Sequence, residues 1–132
     1  MSPRILLVDD EMDFVQTLAK VLSRRGYEVV TAPDGAQALG QVLQGGVEVA
    51  LLDLKMPGMG GMETLRELKR LAPDLEVVIL TGHLLKSSEQ EGLRLGAFAY
   101  LTKPCTVPQL VETIEAARAR RRERLPAAAP EA

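Results

Sequence analysis

A chain of 132 residues with a net charge of −2 is the size of one common domain, able to bury about two-thirds of the surface its unfolded form exposes without disulfide or metal staples. The near balance of charge offers no general attraction for nucleic acid or an anionic membrane, and the single cysteine, Cys105, excludes an internal disulfide and agrees with a reducing compartment. No apolar run is long enough to span a bilayer, and Asp9, Asp10 and Glu11 close behind the run 5–8 do not fit a signal peptide, so a soluble cytoplasmic protein is expected.

Ile5, Leu6, Leu7 and Val8 form a continuous apolar run, as strands buried on both faces do. From Met12 to Arg25 the residues Phe14, Val15, Leu18, Val21 and Leu22 recur at helical spacing, and Gly26 is placed to cap the helix. Glu28 to Thr31 reads as a second strand. Asp34 is a suitable N-cap for a helix carrying Ala36, Ala38, Leu39, Val42 and Leu43, stopped by Gly45 and Gly46. Val47 to Leu54, broken only by Glu48, predicts a third strand, and Pro57, Gly58, Gly60 and Gly61 a turn after it. Met62, Leu65, Leu68 and Leu71 place a third helix that Pro73 closes. Glu76 to Leu80 is a fourth strand, followed by the weakest helical pattern in the chain, Leu85 to Leu95, with Ser87, Ser88 and Gly92 inside it. Ala97 to Leu101 is a fifth strand, and a last helix runs from about Val107 into a cluster of arginines, with Leu110, Val111, Ile114 and Ala117 inward.

Strict alternation of five strands with five helices implies an α/β, doubly wound parallel sheet, because right-handed crossovers place helices on both faces. In such sheets ligands bind beyond the carboxyl ends of the strands. Asp9, Asp10, Asp53, Thr81 and Lys103 all fall at carboxyl ends. Asp53 by itself reads as a loop or capping residue with its carboxylate in water; its company argues for more. Three carboxylates brought close repel by roughly 4 kcal/mol per pair at 4 Å and an effective dielectric near 20. A cation must therefore sit among them, and oxygen-only ligands favour Mg²⁺. With the ammonium of Lys103 opposite, the set suits phosphoryl transfer, where positioning and charge neutralisation dominate.

Four runs, Asp9-Asp10-Glu11, Asp53-Leu54-Lys55-Met56-Pro57-Gly58, Thr81-Gly82 and Tyr100-Leu101-Thr102-Lys103-Pro104, together resemble the receiver domain of bacterial two-component response regulators, over about Arg4 to Arg120. The resemblance implies a flavodoxin-like sheet of order 2-1-3-4-5, with 1–120 as the receiver and 121–132 as a basic helix end and Ala/Pro-rich tail or linker. It implies that Asp53 is the phosphoacceptor, taking a phosphoryl group from the phosphohistidine of a sensor histidine kinase. Asp10 would hold Mg²⁺ directly and Asp9 through water, with Asp53 and the Lys55 backbone carbonyl completing the metal set. Lys103 would pair with the phosphoryl oxygens, Thr81 would donate its hydroxyl to one of them, and Tyr100 would turn inward as the second switch residue. The Lys103–Pro104 bond is expected to be cis. An output domain or downstream protein is the implied recipient of the signal, with a homodimer through helix 4, strand 5 and helix 5 as a further possibility.

Bland readings stand beside these roles. Thr81 could cap a helix, Tyr100 could be a half-buried strand tyrosine, Cys105 reads as inert, and His83 is not expected to be a catalytic acid or metal ligand. The glycines after Asp53 lack the Gly-Lys-Ser/Thr ending of a nucleotide loop. Gly60 and Ala99 depart from residues common in the family, away from the phosphoryl chemistry. Arg118, Arg120, Arg121, Arg122 and Arg124 suit the end of a helix dipole, diluted by Glu115 and Glu123, and with no interleaved aromatics direct nucleic-acid binding is not expected. A phosphoester hydrolase would look for a second Asp at position 55, where this chain has lysine, so a regulatory phosphoacceptor is favoured over a turnover enzyme. An interaction module that works without phosphorylation is the remaining alternative.

Overall fold

A computed structural model describes residues 2–55, 58–82 and 86–125. The elements in chain order are β1 (Arg4–Val8), α1 (Met12–Arg24), β2 (Glu28–Ala32), α2 (Gly35–Leu43), β3 (Val47–Leu52), α3 (Gly61–Leu71), β4 (Glu76–Thr81), α4 (Lys86–Arg94), β5 (Ala99–Thr102) and α5 (Val107–Arg124). The five strands form one parallel sheet of order β2-β1-β3-β4-β5, the flavodoxin-like arrangement the resemblance implied. Central strands are apolar on both faces because both faces are covered. Val77 and Ile79 of β4 face a layer built with α2, α3 and α4, whereas Val78 and Leu80 face α1 and α5. Edge strand β2 instead leaves Glu28 and Thr31 exposed.

Local signals acted as the sequence implied. Asp34 caps α2 by accepting the Gln37 N–H at 2.8 Å, and Gly26 adopts a φ of 97°, a left-handed conformation that ends α1. The Lys103–Pro104 peptide is cis. Boundaries differ where backbone bonding decides them. The third strand stops at Leu52 rather than Leu54, since the Asp53 N–H still reaches Val8 O but the chain then leaves the sheet. The fifth strand begins at Ala99 rather than Ala97, because the Ala97 N–H is used to close α4 on Gly92 O. The start expected for α4, Leu85, lies outside the described residues, as do Met56, Pro57, His83, Leu84 and the segment 126–132.

The arginines of α5 do more than solvate a helix end. Arg118 reaches Glu48 at 3.2 Å and Glu115 at 2.8 Å, while Arg124 bonds Glu76 at 2.9 Å and the Pro73 carbonyl at 2.8 Å. Glu76 is fully buried, and Arg120 stands 3.6 Å from the same carboxylate oxygen as Arg124. Glu48 is available because β3 carries an irregularity: Arg4 pairs with Val47 and Ile5 with Val49, leaving Glu48 without a partner in β1. Buried Tyr27 completes this belt by hydrogen-bonding Glu115.

Burial, reinforced by the bond to Glu115, pushes the Tyr27 phenol up to about 12. A group whose proton is held more tightly in the folded state contributes stability below its unfolded value, about 10, and that contribution disappears as pH rises through about 12. Urea titrations at stepped pH should therefore show stability falling between roughly pH 10 and 12, with a shallower fall in Tyr27→Phe.

Candidate functional site

Each central residue of the carboxyl edge lies one step past a strand and is pinned there by extending the ladder. The Asp9 N–H donates to Ala32 O at 3.1 Å, Asp53 N–H to Val8 O at 2.9 Å, and Lys103 N–H to Thr81 O at 2.9 Å. Register thus converts positions far apart in sequence into neighbours. Asp10, Glu11, Asp53, Lys55, Thr81, Gly82 and Lys103 line a cleft of about 390 Å³, with Asp9 just behind its wall. Asp9 and Asp53 are 4% and 6% exposed, Thr81 is buried, and Asp10 faces solvent.

One carboxylate oxygen from each of Asp9, Asp10 and Asp53 lies within 4.8 Å of the others. The Lys103 ammonium stands 2.6 Å from Asp9 Oδ2, 3.0 Å from Glu11 Oε1 and 3.7 Å from Asp53 Oδ2. Burial works against that charge, but the bonds to Asp9 and Glu11 outweigh it and hold the lysine above its ordinary value. Asp9 is also raised, by burial first, against the pull of Lys103 and with a contribution from Asp53. The two shifts share a direction but not a cause: partners raise the lysine, whereas burial raises the aspartate. The excess of oxygen donors fits a hard divalent cation, and among the described residues the cluster is made of carboxylates alone.

Backbone donors trim the remaining lone pairs: Glu11 N–H bonds Asp9 Oδ1 at 3.0 Å, and Lys55 N–H approaches Asp53 Oδ1 at 3.3 Å. Tyr100 is not among the residues lining the cleft. It pairs in register with Ile79 and packs, half-buried, against the α2, α3 and α4 layer. Two neighbours of Lys103 were not singled out from sequence. Glu11 was visible as the third acid of its run without a role, and Phe14, whose ring centroid lies 4.2 Å from the Lys103 ammonium, was read only as part of a helix face.

A parallel α/β sheet carrying an acidic cluster, a lysine and a threonine at its carboxyl edge defines a flavodoxin-like domain with a charged cleft at the ends of its strands. Residues 5–115 match the profile of the response regulator receiver domain, and the chain belongs to that family. It is 36% identical over 109 residues to the response regulator receiver protein Anae109_2439 of Anaeromyxobacter sp. (strain Fw109-5), covering 83% of this chain and 46% of that protein. It is 35% identical over 120 residues to the transcriptional regulatory protein PrrA of Mycobacterium tuberculosis, covering 91% and 52%. The chain thus spans about half the length of these curated relatives. A CheY-like response regulator receiver domain protein from Methanospirillum hungatei superimposes with a TM-score of 0.89 at 29% identity, over 93% of this chain and 98% of that one. Receiver domains are regulatory domains of two-component systems, not turnover enzymes; they generally bind Mg²⁺ at an acidic pocket and work with histidine kinases and output domains. Among the described residues, no helix is long and apolar enough to cross a membrane.

Gly61 supports the site from behind. A Cβ at Gly61 would meet the Leu54 backbone at 2.4 Å, one residue beyond Asp53, where only main chain is present to give way. Gly61→Ala should cost about 1–3 kcal/mol in chemical denaturation and move the Asp53 and Leu54 amide resonances, whereas Gly40→Ala, with open space around it, should do neither.

Proposed function

We propose that this domain is a phosphorylation-controlled switch whose phosphoacceptor is Asp53. The observation that carries the reading is the convergence of Asp9, Asp10 and Asp53 with Lys103 3.7 Å from the Asp53 carboxylate, at the floor of an open cleft. A carboxylate oxygen of Asp53 attacks phosphorus of a phosphohistidine on a partner kinase. A new O–P bond forms as the N–P bond breaks, and the imidazole leaves with the electron pair, giving an acyl phosphate. Asp10 and Asp53 would hold Mg²⁺ directly and Asp9 through water, with the Lys55 carbonyl as a further ligand; the cation would neutralise charge developing on the transferred group.

Lys103 exchanges its contacts with Asp9 and Glu11 for phosphoryl oxygens as they arrive, which keeps an ammonium beside the most negative atoms of the site. Thr81 donates its hydroxyl to one of those oxygens, drawing its loop inward, and Tyr100, on the same face of the sheet, turns inward behind it. The recipient is an output domain or separate protein, reached through the surface of α4, β5 and α5, which is also the face for a homodimer. The receiver proper is taken as 1–120, with 121–132 a basic helix end and tail or linker. The arginines of α5 engaged by Glu48, Glu76 and Glu115 support leaving nucleic-acid contact to another part or partner. A cytoplasmic place suits the chemistry, where kinases present phosphohistidine.

Incubation with Mg²⁺ and acetyl phosphate should add one acid-stable, base-labile phosphoryl group by intact mass. Asp53→Asn should abolish it and Asp10→Asn should slow it at least tenfold, through loss of a metal ligand; unaltered labelling of Asp53→Asn would refute the assignment. Release of many equivalents of phosphate per protein from small esters would instead indicate a hydrolase.

One hydroxyl bond to a charged phosphoryl is worth roughly 1.5–3 kcal/mol, enough to shift a two-state population about ten- to a hundred-fold. Thr81→Ala should therefore still accept phosphate yet lose most of the change in amide exchange over α4, β5 and α5 that fluoroberyllate produces in the parent. Retention of the full response in Thr81→Ala would move the coupling to Lys103.

A further inference from the structure

Among the described residues, the ammonium of Lys103 has partners of two different kinds. Asp9, Glu11 and Asp53 accept hydrogen bonds or ion pairs at 2.6, 3.0 and 3.7 Å, whereas the face of Phe14 lies below with its centroid at 4.2 Å. The carboxylates are directional partners, and each must be released or shared when a phosphoryl group takes the same protons. The ring accepts through its quadrupole, an attraction that changes little as a cation slides across the face. Phe14 is half-buried: it packs from α1 against the core layer with Leu18, Leu80 and Leu110, and with Lys103, Pro104, Cys105 and Val107 it lines an apolar cavity of about 90 Å³. The lysine's methylenes are therefore held on apolar surface while its head works among charges.

We infer that Phe14 is a positioning residue, the pivot on which Lys103 stays seated over the site while it exchanges carboxylate partners for phosphoryl oxygens. The ring acts through Lys103, and it also lines a small cavity beside Asp9 and Asp53. Without it the ammonium remains attracted to Asp9 and Glu11, but it loses the one contact that persists through the exchange. The inference rests on the phosphoacceptor reading for its effect on rate and is independent of that reading for its effect on the lysine.

The test pairs two measurements on the full chain for the parent, Phe14→Leu, which keeps an apolar filler of similar bulk, and Phe14→Tyr, which restores a ring. The first is the NMR order parameter of the Lys103 ε-methylene without phosphodonor; the second is the initial rate of Asp53 labelling by acetyl phosphate at saturating Mg²⁺, by intact mass. Phe14→Leu should lower the order parameter and slow labelling about three- to ten-fold, with Phe14→Tyr recovering both and the melting temperatures of all three within a few degrees. An unchanged order parameter in Phe14→Leu overturns the pivot, as does a lowered one with parental labelling, or Phe14→Tyr behaving like Phe14→Leu. If the parent itself is not labelled, the phosphoacceptor reading fails, and the order parameters alone decide the pivot. Should Phe14→Leu not fold, Phe14→Met, whose flexible thioether refills irregular space, takes its place.

Discussion

Carboxylates gathered at one end of the sheet repel one another, and much of this domain is arranged around that cost. With oxygens within 4.8 Å, each ionised pair opposes folding by roughly 3–4 kcal/mol at an effective dielectric near 20. Lys103 offsets part of it, bonded to Asp9 and Glu11 and near Asp53. Under the proposed function the remainder would be an affinity held in reserve: a site short of positive charge gains most from a cation, and one ammonium shared among several acids would be readily recruited by a phosphoryl oxygen. The same imbalance that taxes the fold is what would make the site responsive.

A sheet can tolerate such a cluster because its opposite determinants are apolar and rigid. The central strands place Ile5, Leu6, Val49, Ala50, Leu52, Val77, Val78 and Ile79 entirely out of solvent, and close packing there leaves little freedom for the strand ends to move apart. The ladder continues one residue beyond the strands at Asp9, Asp53 and Lys103, so repulsion acts on side chains whose backbones are already fixed. Gly61 allows the N-terminus of α3 to come up against the Leu54 backbone, one residue beyond Asp53.

At the other end of the sheet the arrangement of charge is reversed. Glu76, buried at the start of β4, meets Arg120 and Arg124, and Glu48 meets Arg118. These pairs fasten the polar second half of α5, beyond Ala117, which has no further apolar stripe to bury. A buried carboxylate with arginines half in water is a weak source of net stability, since desolvation offsets much of the attraction. It is a strong determinant of where the helix lies, because another placement would take the arginines away from the buried Glu76 carboxylate.

Alternating apolar runs and helical periodicity were enough to read the five strands, the five helices and the edge that carries Asp9, Asp10, Asp53, Thr81 and Lys103, since buried parallel strands must be apolar throughout and crossovers must place helices on both faces. Strand order was accessible only through the family resemblance; periodicity says that strands exist, not which ones are neighbours. The tertiary structure alone decided that Glu11 and Phe14 join Lys103, that Gly61 is a point of close backbone approach rather than only a turn residue, and that Glu76 and Glu48 claim the α5 arginines. Each depends on distance between segments tens of residues apart, or on an irregularity in register that skips Glu48. Local sequence sets which side chains a strand or helix presents, but the free energy of a contact between two elements belongs to neither of their patterns and exists only once the sheet has brought them together.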